Sequence, residues 1–171
     1  MKTFPRTKGA SLIEMLVYVA ILVLLSSTVV AIVLSLSHTF EGIRAARALS
    51  GGATNSLERM VRSIRSAEGV VTAESVLGVH PGHLTLQRSL QGGGTEKTEF
   101  YLENGTLKIR IDGIEEGVLT PDLVSVESLV FTLQGSGVSN GVRIETVFKG
   151  EKGGATVTRA FDLFAILRRS Y

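Results

Sequence analysis

The side chain with the most chemistry to explain is Glu14, a lone carboxylate at the start of a stretch, Met15 to Leu36, that carries no other charge. In a bilayer such a group costs about 2.5–3.5 kcal/mol at mid-depth. It therefore calls for a cationic partner. The residues just before it, Lys8-Gly9-Ala10-Ser11, set a basic hydrophilic segment and a glycine-alanine bond at a sharp boundary. Other candidates carry less. His80 and His83 in His-Pro-Gly-His are close enough to share a metal, but two imidazoles astride Pro-Gly without a third ligand favour a plain turn. No metal site is assigned. Gly92-Gly93-Gly94-Thr95 with Lys97 lacks the Gly-Lys-Ser/Thr order of a phosphate-binding loop and reads as a hairpin loop. Arg59, Arg62 and Arg65 recur every third residue and could face a phosphate or a protein partner, although such rows are usually solvated helix faces. His38 stands alone and has no assigned role.

The element that must position Glu14 is a helix. From Ala10 to Leu36 it would be about 40 Å long at ~1.5 Å per residue, against ~30 Å of hydrocarbon in a bilayer. It can span. Only Ser26, Ser27, Thr28 and Ser35 interrupt the apolar surface, which covers every face, as expected of a helix facing lipid or like helices. From Phe40 to about Ser66 the helix turns amphipathic, with Phe40, Ile43, Ala46, Ala53, Leu57, Met60, Val61 and Ile64 at helical spacing. Gly51-Gly52 costs helix stability and predicts a bend or short break. After Gly69 the period becomes two. Leu84 and Leu86 alternate with polar residues, and so do Phe100 and Leu102; Asn104-Gly105 is a type I′ hairpin signal, followed by Leu107, Ile109 and Ile111. A further pair joins Leu129, Phe131 and Leu133 through a Gly135 to Gly141 turn to Val142, Ile144 and Thr146. The last strand is expected over Thr156 to Leu167, after a Lys149 to Gly154 turn. The expected class is α+β: a long N-terminal helix, membrane half plus amphipathic half, packed on an antiparallel sheet.

Composition narrows the function. Of 171 residues 18 are Lys or Arg and 16 Asp or Glu; removing Lys2, Arg6 and Lys8 leaves 15 against 16, a net of −1 over residues 10–171. The basicity is thus a topology signal that holds the N-terminus in the cytoplasm, with everything after Leu36 outside. There are no cysteines, so no disulfide framework, thiolate metal site or thiol nucleophile is available. Serines are plentiful, but there is no Gly-x-Ser-x-Gly elbow, and no carboxylate pair stands out from the strand pattern. The expectation is a structural subunit and not an enzyme, with no cofactor.

The basic leader, Gly9, a small residue, Ser11-Leu12-Ile13-Glu14 and the apolar helix resemble the class III signal of type IV pilins and type II secretion pseudopilins. The resemblance implies that a prepilin peptidase cuts between Gly9 and Ala10 and methylates the amine of Ala10, leaving Glu14 as the fifth mature residue. The family's most frequent first mature residue is phenylalanine, and Ala10 departs from it; the glycine before the cut is the stricter requirement. Further along, the arginine-bearing helix, the Tyr101 to Leu107 hairpin, Leu129-Val130-Phe131 and the terminal Arg168-Arg169 look most like a minor pilin or a J-type minor pseudopilin.

Cleavage after Gly9 would create an α-amine of pKa ~7.7–8.0, and Glu14 would face it one helical turn away. In a dehydrated bundle of parallel helices a carboxylate meeting the next subunit's amine rewards one axial stagger, a registry device like the buried polar pairs of coiled coils. Alternatively Glu14 lies at headgroup level and ends the apolar run, which leaves the Gly9 spacing unexplained. The implied organisation is a cleaved leader over residues 1–9, a transmembrane and filament-core helix over 10–37, its amphipathic continuation over 38–68 and an exported sheet region over 69–171. The implied partners are prepilin peptidase, other pilin or pseudopilin subunits and an inner-membrane assembly platform, with the chain first in the inner membrane and then in a filament of a type IV pilus or a type II secretion system. Two alternatives stay open: a surface adhesin or DNA-uptake pilin, the one case in which nucleic acid is a partner, and a signal-anchored exported protein.

Overall fold

The computed structural model describes residues 11–90, 92–135 and 140–168. Gly9, Ala10 and Arg169 lie outside them, as does the His38 side chain. The chain is α+β, one long helix followed by antiparallel strands, and divides into two units, residues 1–40 and 41–171. Helix α1, Leu12–Ser66, has Ser11 at its mouth, whose carbonyl accepts the amides of Glu14 and Met15. In the first unit every apolar side chain from Leu12 to Phe40 is exposed, and the helix is long and apolar enough to cross a membrane. Its hydroxyls turn back onto their own backbone: Ser27 and Thr28 donate to the Leu24 carbonyl at 2.8 and 3.0 Å, and Ser37 donates to Val33 at 3.0 Å. Such back-bonding keeps these hydroxyl protons from facing the surroundings, where a hydrocarbon environment would penalise them.

The second unit holds the core. One sheet has the order β1 (Gly69–Val70), β2 (Leu84–Leu90), β3 (Gly94–Glu103), β4 (Thr106–Ile111), β5 (Ile114–Val118); the other has β6 (Val124–Gly135), β7 (Asn140–Lys152), β8 (Ala155–Ile166). A single expected sheet is thus two. The Gly135 to Gly141 turn falls mostly outside the described residues, but the strands flanking it pair as expected, Leu129 with Thr146 and Phe131 with Ile144. Phe100, Leu107, Phe131, Ile144 and Phe148 from both sheets bury completely with Leu49, Ala53, Met60 and Ile64 of α1. Each such aliphatic or aromatic burial contributes about 1.5–3 kcal/mol.

Asn104 and Gly105 have φ of 51° and 75° and join β3 to β4 as a two-residue loop, the left-handed pair that a type I′ turn requires. Asp112-Gly113, with φ of 49° and 82°, repeats the device between β4 and β5, a strand that the sequence reading does not include. Lys149 to Lys152 belong to β7, and the turn expected there shrinks to Gly153-Gly154.

Two expectations for the amphipathic helix need correction. The buried stripe runs through Ala45, Leu49, Ala53, Leu57, Met60, Ile64 and Ala67, whereas Phe40 and Ile43 are exposed. Gly150 of β7 sets that phase, because its bare Cα admits the helix so closely that a Cβ would lie 2.9 Å from the Ala45 carbonyl. Nor does α1 break at Gly51-Gly52, which are helical throughout. Gly52 meets the Pro121 ring, where a Cβ would lie 2.6 Å from Cδ, and buried Ser56 one turn on contacts both the Gly52 and Leu119 carbonyls at 2.7 and 2.8 Å. The glycine serves close approach.

Candidate functional site

Glu14 lies in the exposed first turn of α1, where acidic groups complement the helix dipole. Tyr18, one turn on, donates its phenol to Glu14 Oε1 at 3.2 Å, and Oε2 has no partner among the described residues. Tyr18 is a candidate residue that sequence reasoning missed, although its i, i+4 spacing from Glu14 is the signal that finds it. The arrangement holds one carboxylate oxygen and leaves the other free to meet an external cation.

The two histidines do not converge. His80 Nδ1 accepts the Leu129 amide at 3.1 Å, and the neighbouring amides of Gly78 and Gly82 donate to Phe131 and Leu129, so the His-Pro-Gly-His segment docks on β6 and ties the sheets together. His83 Nε2 points instead at Glu99, 3.3 Å from Oε2 but out of line for a hydrogen bond, with its ring edge-on to Tyr101 at 6.1 Å. Among the described residues no three His, Asp or Glu side chains converge as metal ligands. Gly92 and Gly93 lie in the β2–β3 connection and Gly94 opens β3, so a strand follows and not the helix that a phosphate loop needs.

The sheets' cations are almost all paired. Glu99 binds Arg110 at 3.0 Å, whose guanidinium lies 4.6 Å over the Tyr101 ring. Lys108 bridges Glu103 and Glu115 at 2.7 and 2.9 Å; these hydrogen bonds raise its pKa and hold the Glu115 carboxyl below its usual range. Arg143 grips Asp162 with two donors, and that fork lowers the Asp162 pKa. Lys97–Glu74, Arg88–Glu96 and Lys149–Glu151 complete the set.

The helix differs. Arg44, Arg47, Arg59, Arg62 and Arg65 have no carboxylate partner among the described residues. Arg62 and Arg65 rim an open groove of about 680 Å³ between α1 and β8, with Arg168 opposite and Leu57, Val61, Phe161 and Leu163 as its apolar floor. The arginine row is legible in the sequence but the groove is not, because β8 follows α1 only after the whole run of intervening strands. Compared with models of known families, with curated proteins and with solved structures, the chain matches none of them.

Proposed function

We propose that this chain is a minor pilin or pseudopilin, a structural subunit that is cut after Gly9, methylated on Ala10, and built into a short filament by its N-terminal helix. The observation that carries the reading is Glu14: a half-satisfied carboxylate in the exposed first turn of an otherwise uncharged, membrane-length helix, five residues after the Gly9-Ala10 boundary. As a lone group such a carboxylate is a liability in lipid. Opposite the new amine of a neighbouring subunit it fixes axial stagger, and the Tyr18 hydrogen bond holds its rotamer ready for that contact.

The second unit supports a structural role. Its strand cations pair with carboxylates across strands, His80 docks its loop on β6, and Gly92-Gly93 lies in the β2–β3 connection. The proposed place is first the inner membrane, N-terminus inward, and then the filament. Its partners there are prepilin peptidase, like subunits and an assembly platform. The helix arginines, without carboxylate partners among the described residues, favour a specific neighbour over bulk self-packing, hence a scarce subunit that primes or caps. Intact mass of the protein recovered from membranes tests the processing step. A start at methylated Ala10 is expected, and Gly9→Val should leave the leader attached; a start at His38, or an uncut leader in the parent, would refute it.

A further inference from the structure

A sheet edge left open beside unpaired charge can take up a further strand, and among the described residues one such edge stands out. The other edges are blunted in ways natural sheets use against unwanted pairing. β1 is two residues long. β5 is five residues, bulged against β4, and carries Glu115, Glu116 and Gly117. β6 is covered by the Asn104-Gly105 turn and the His80 loop, which hydrogen-bond to Val126, Leu129 and Phe131. β8 has no such protection. It runs 12 residues, Ala155–Ile166, pairs with β7 without a register shift, and contains no proline, lysine or bulge. Among the described residues no backbone hydrogen bond reaches its other edge. Its two charged side chains are already engaged, Asp162 by Arg143 and Arg159 by Ser50.

The groove runs alongside that edge. Phe161 and Leu163 are only partly buried, and with Leu57 and Val61 they extend an apolar strip beyond the last strand. Arg62, Arg65 and Arg168 stand above it, exposed and, among the described residues, without carboxylate partners, and they outnumber Glu58, the one acid that also lines the groove. We infer that β8 and this groove bind an extended segment of a partner protein that adds to the sheet as a further strand, with apolar side chains on Leu57, Val61, Phe161 and Leu163 and alternate acidic side chains on the three arginines. Backbone pairing supplies affinity, and the period of two sends one set of side chains into the groove and presents the other to its rim. Charge selects the partner, since guanidinium binds carboxylate in fork geometry and a basic segment would be repelled. The inference does not depend on filament assembly, because a binding assay reads the groove alone.

The test uses the full chain in detergent and a fluorescent peptide of about eight residues, a typical strand length, alternating valine with glutamate. Saturable binding is expected by fluorescence anisotropy. Lysine in place of glutamate should weaken it at least about tenfold, and so should the double variant Arg62→Ala/Arg65→Ala, whose changes lie on an exposed helix face. N-methylation of alternate peptide amides keeps every side chain but removes the ladder donors, and should weaken binding to a similar extent. Absence of saturable binding overturns the inference, as does equal binding of the N-methylated or the lysine peptide. So does a β8-paired dimer of the chain, detected by sedimentation, that the peptide fails to dissociate, since the occupant would then be a second copy.

Discussion

Adjacent glycines in the middle of α1 should respond to the same substitution in opposite ways. A Cβ at Gly51 meets nothing within 4 Å, whereas one at Gly52 lands 2.6 Å from Pro121 Cδ and 2.8 Å from Cγ, about 0.8 Å short of the 3.4 Å at which ordinary contact begins. Alanine in either position gains about 0.8–1 kcal/mol of helix propensity. At Gly51 that gain is all there is, so Gly51→Ala should stabilise by about 1 kcal/mol. Gly52→Ala also forces a buried methyl into a ring that cannot flex away, an overpacking cost of about 1–3 kcal/mol. Since propensity cancels between the two variants, the difference between them isolates the packing term. At roughly 2–4 °C per kcal/mol for a chain of this size, Gly51→Ala should melt about 2–12 °C above Gly52→Ala. Circular dichroism of the full chain in detergent reads this directly. Equal shifts of the same sign would show that Gly52 marks no close approach, and that helix propensity alone governs the pair.

Glu14→Gln should insert and be processed normally while its share in sheared filaments falls sharply, because removing one partner of a buried ion pair costs ~3–5 kcal/mol; equal incorporation, with crosslinking to exclude a tip position, would leave Glu14 a mere membrane-edge marker. Phe131→Ala empties a fully buried site shared by both sheets and should cost about 3–5 kcal/mol in urea unfolding. Acid should destabilise the second unit: Lys108 and Arg143 hold Glu115 and Asp162 at lowered pKa, so their contribution is present above the unfolded carboxylate range near ~4 and is lost as pH falls through the depressed values. Asp162→Asn should flatten that acid dependence, as read from urea midpoints against pH.

What could be read from the sequence is what lies close together along it. Asn104-Gly105 announces its hairpin because both left-handed residues and both alternating strands fit within fourteen positions. Glu14 is visible because the basic residues, the glycine and the apolar run that give it meaning are contiguous. β5 escapes although Asp112-Gly113 carries the same turn signal, since Ile-Glu-Glu-Gly-Val has too few apolar residues to alternate. The phase of the amphipathic helix is a different kind of failure. Periodicity offers two neighbouring stripes, one through Ile43 and Ala46 and one through Ala45 and Leu49, and Gly150 selects the second from a hundred residues away.

Charge behaves the same way, and this bears on how the arginines should be judged. A row of arginines on a helix reads as a solvated face when nothing is known of what surrounds it. In the folded chain, Arg88, Lys97, Lys108, Arg110, Arg143 and Lys149 each find a carboxylate, so the sheets show what this sequence does with a cation that has an internal task. Exposed ion pairs contribute little to stability, about 0–1 kcal/mol each, so that pairing is better explained by strand register and solubility than by energy. By the same measure the missing pairs on α1 cost the fold almost nothing. Arg62 and Arg65 can therefore stay uncommitted beside an apolar groove and an open strand edge. That freedom is what a surface for an acidic partner requires, and only the topology, by leaving β8 as the last strand of its sheet, brings the three features together.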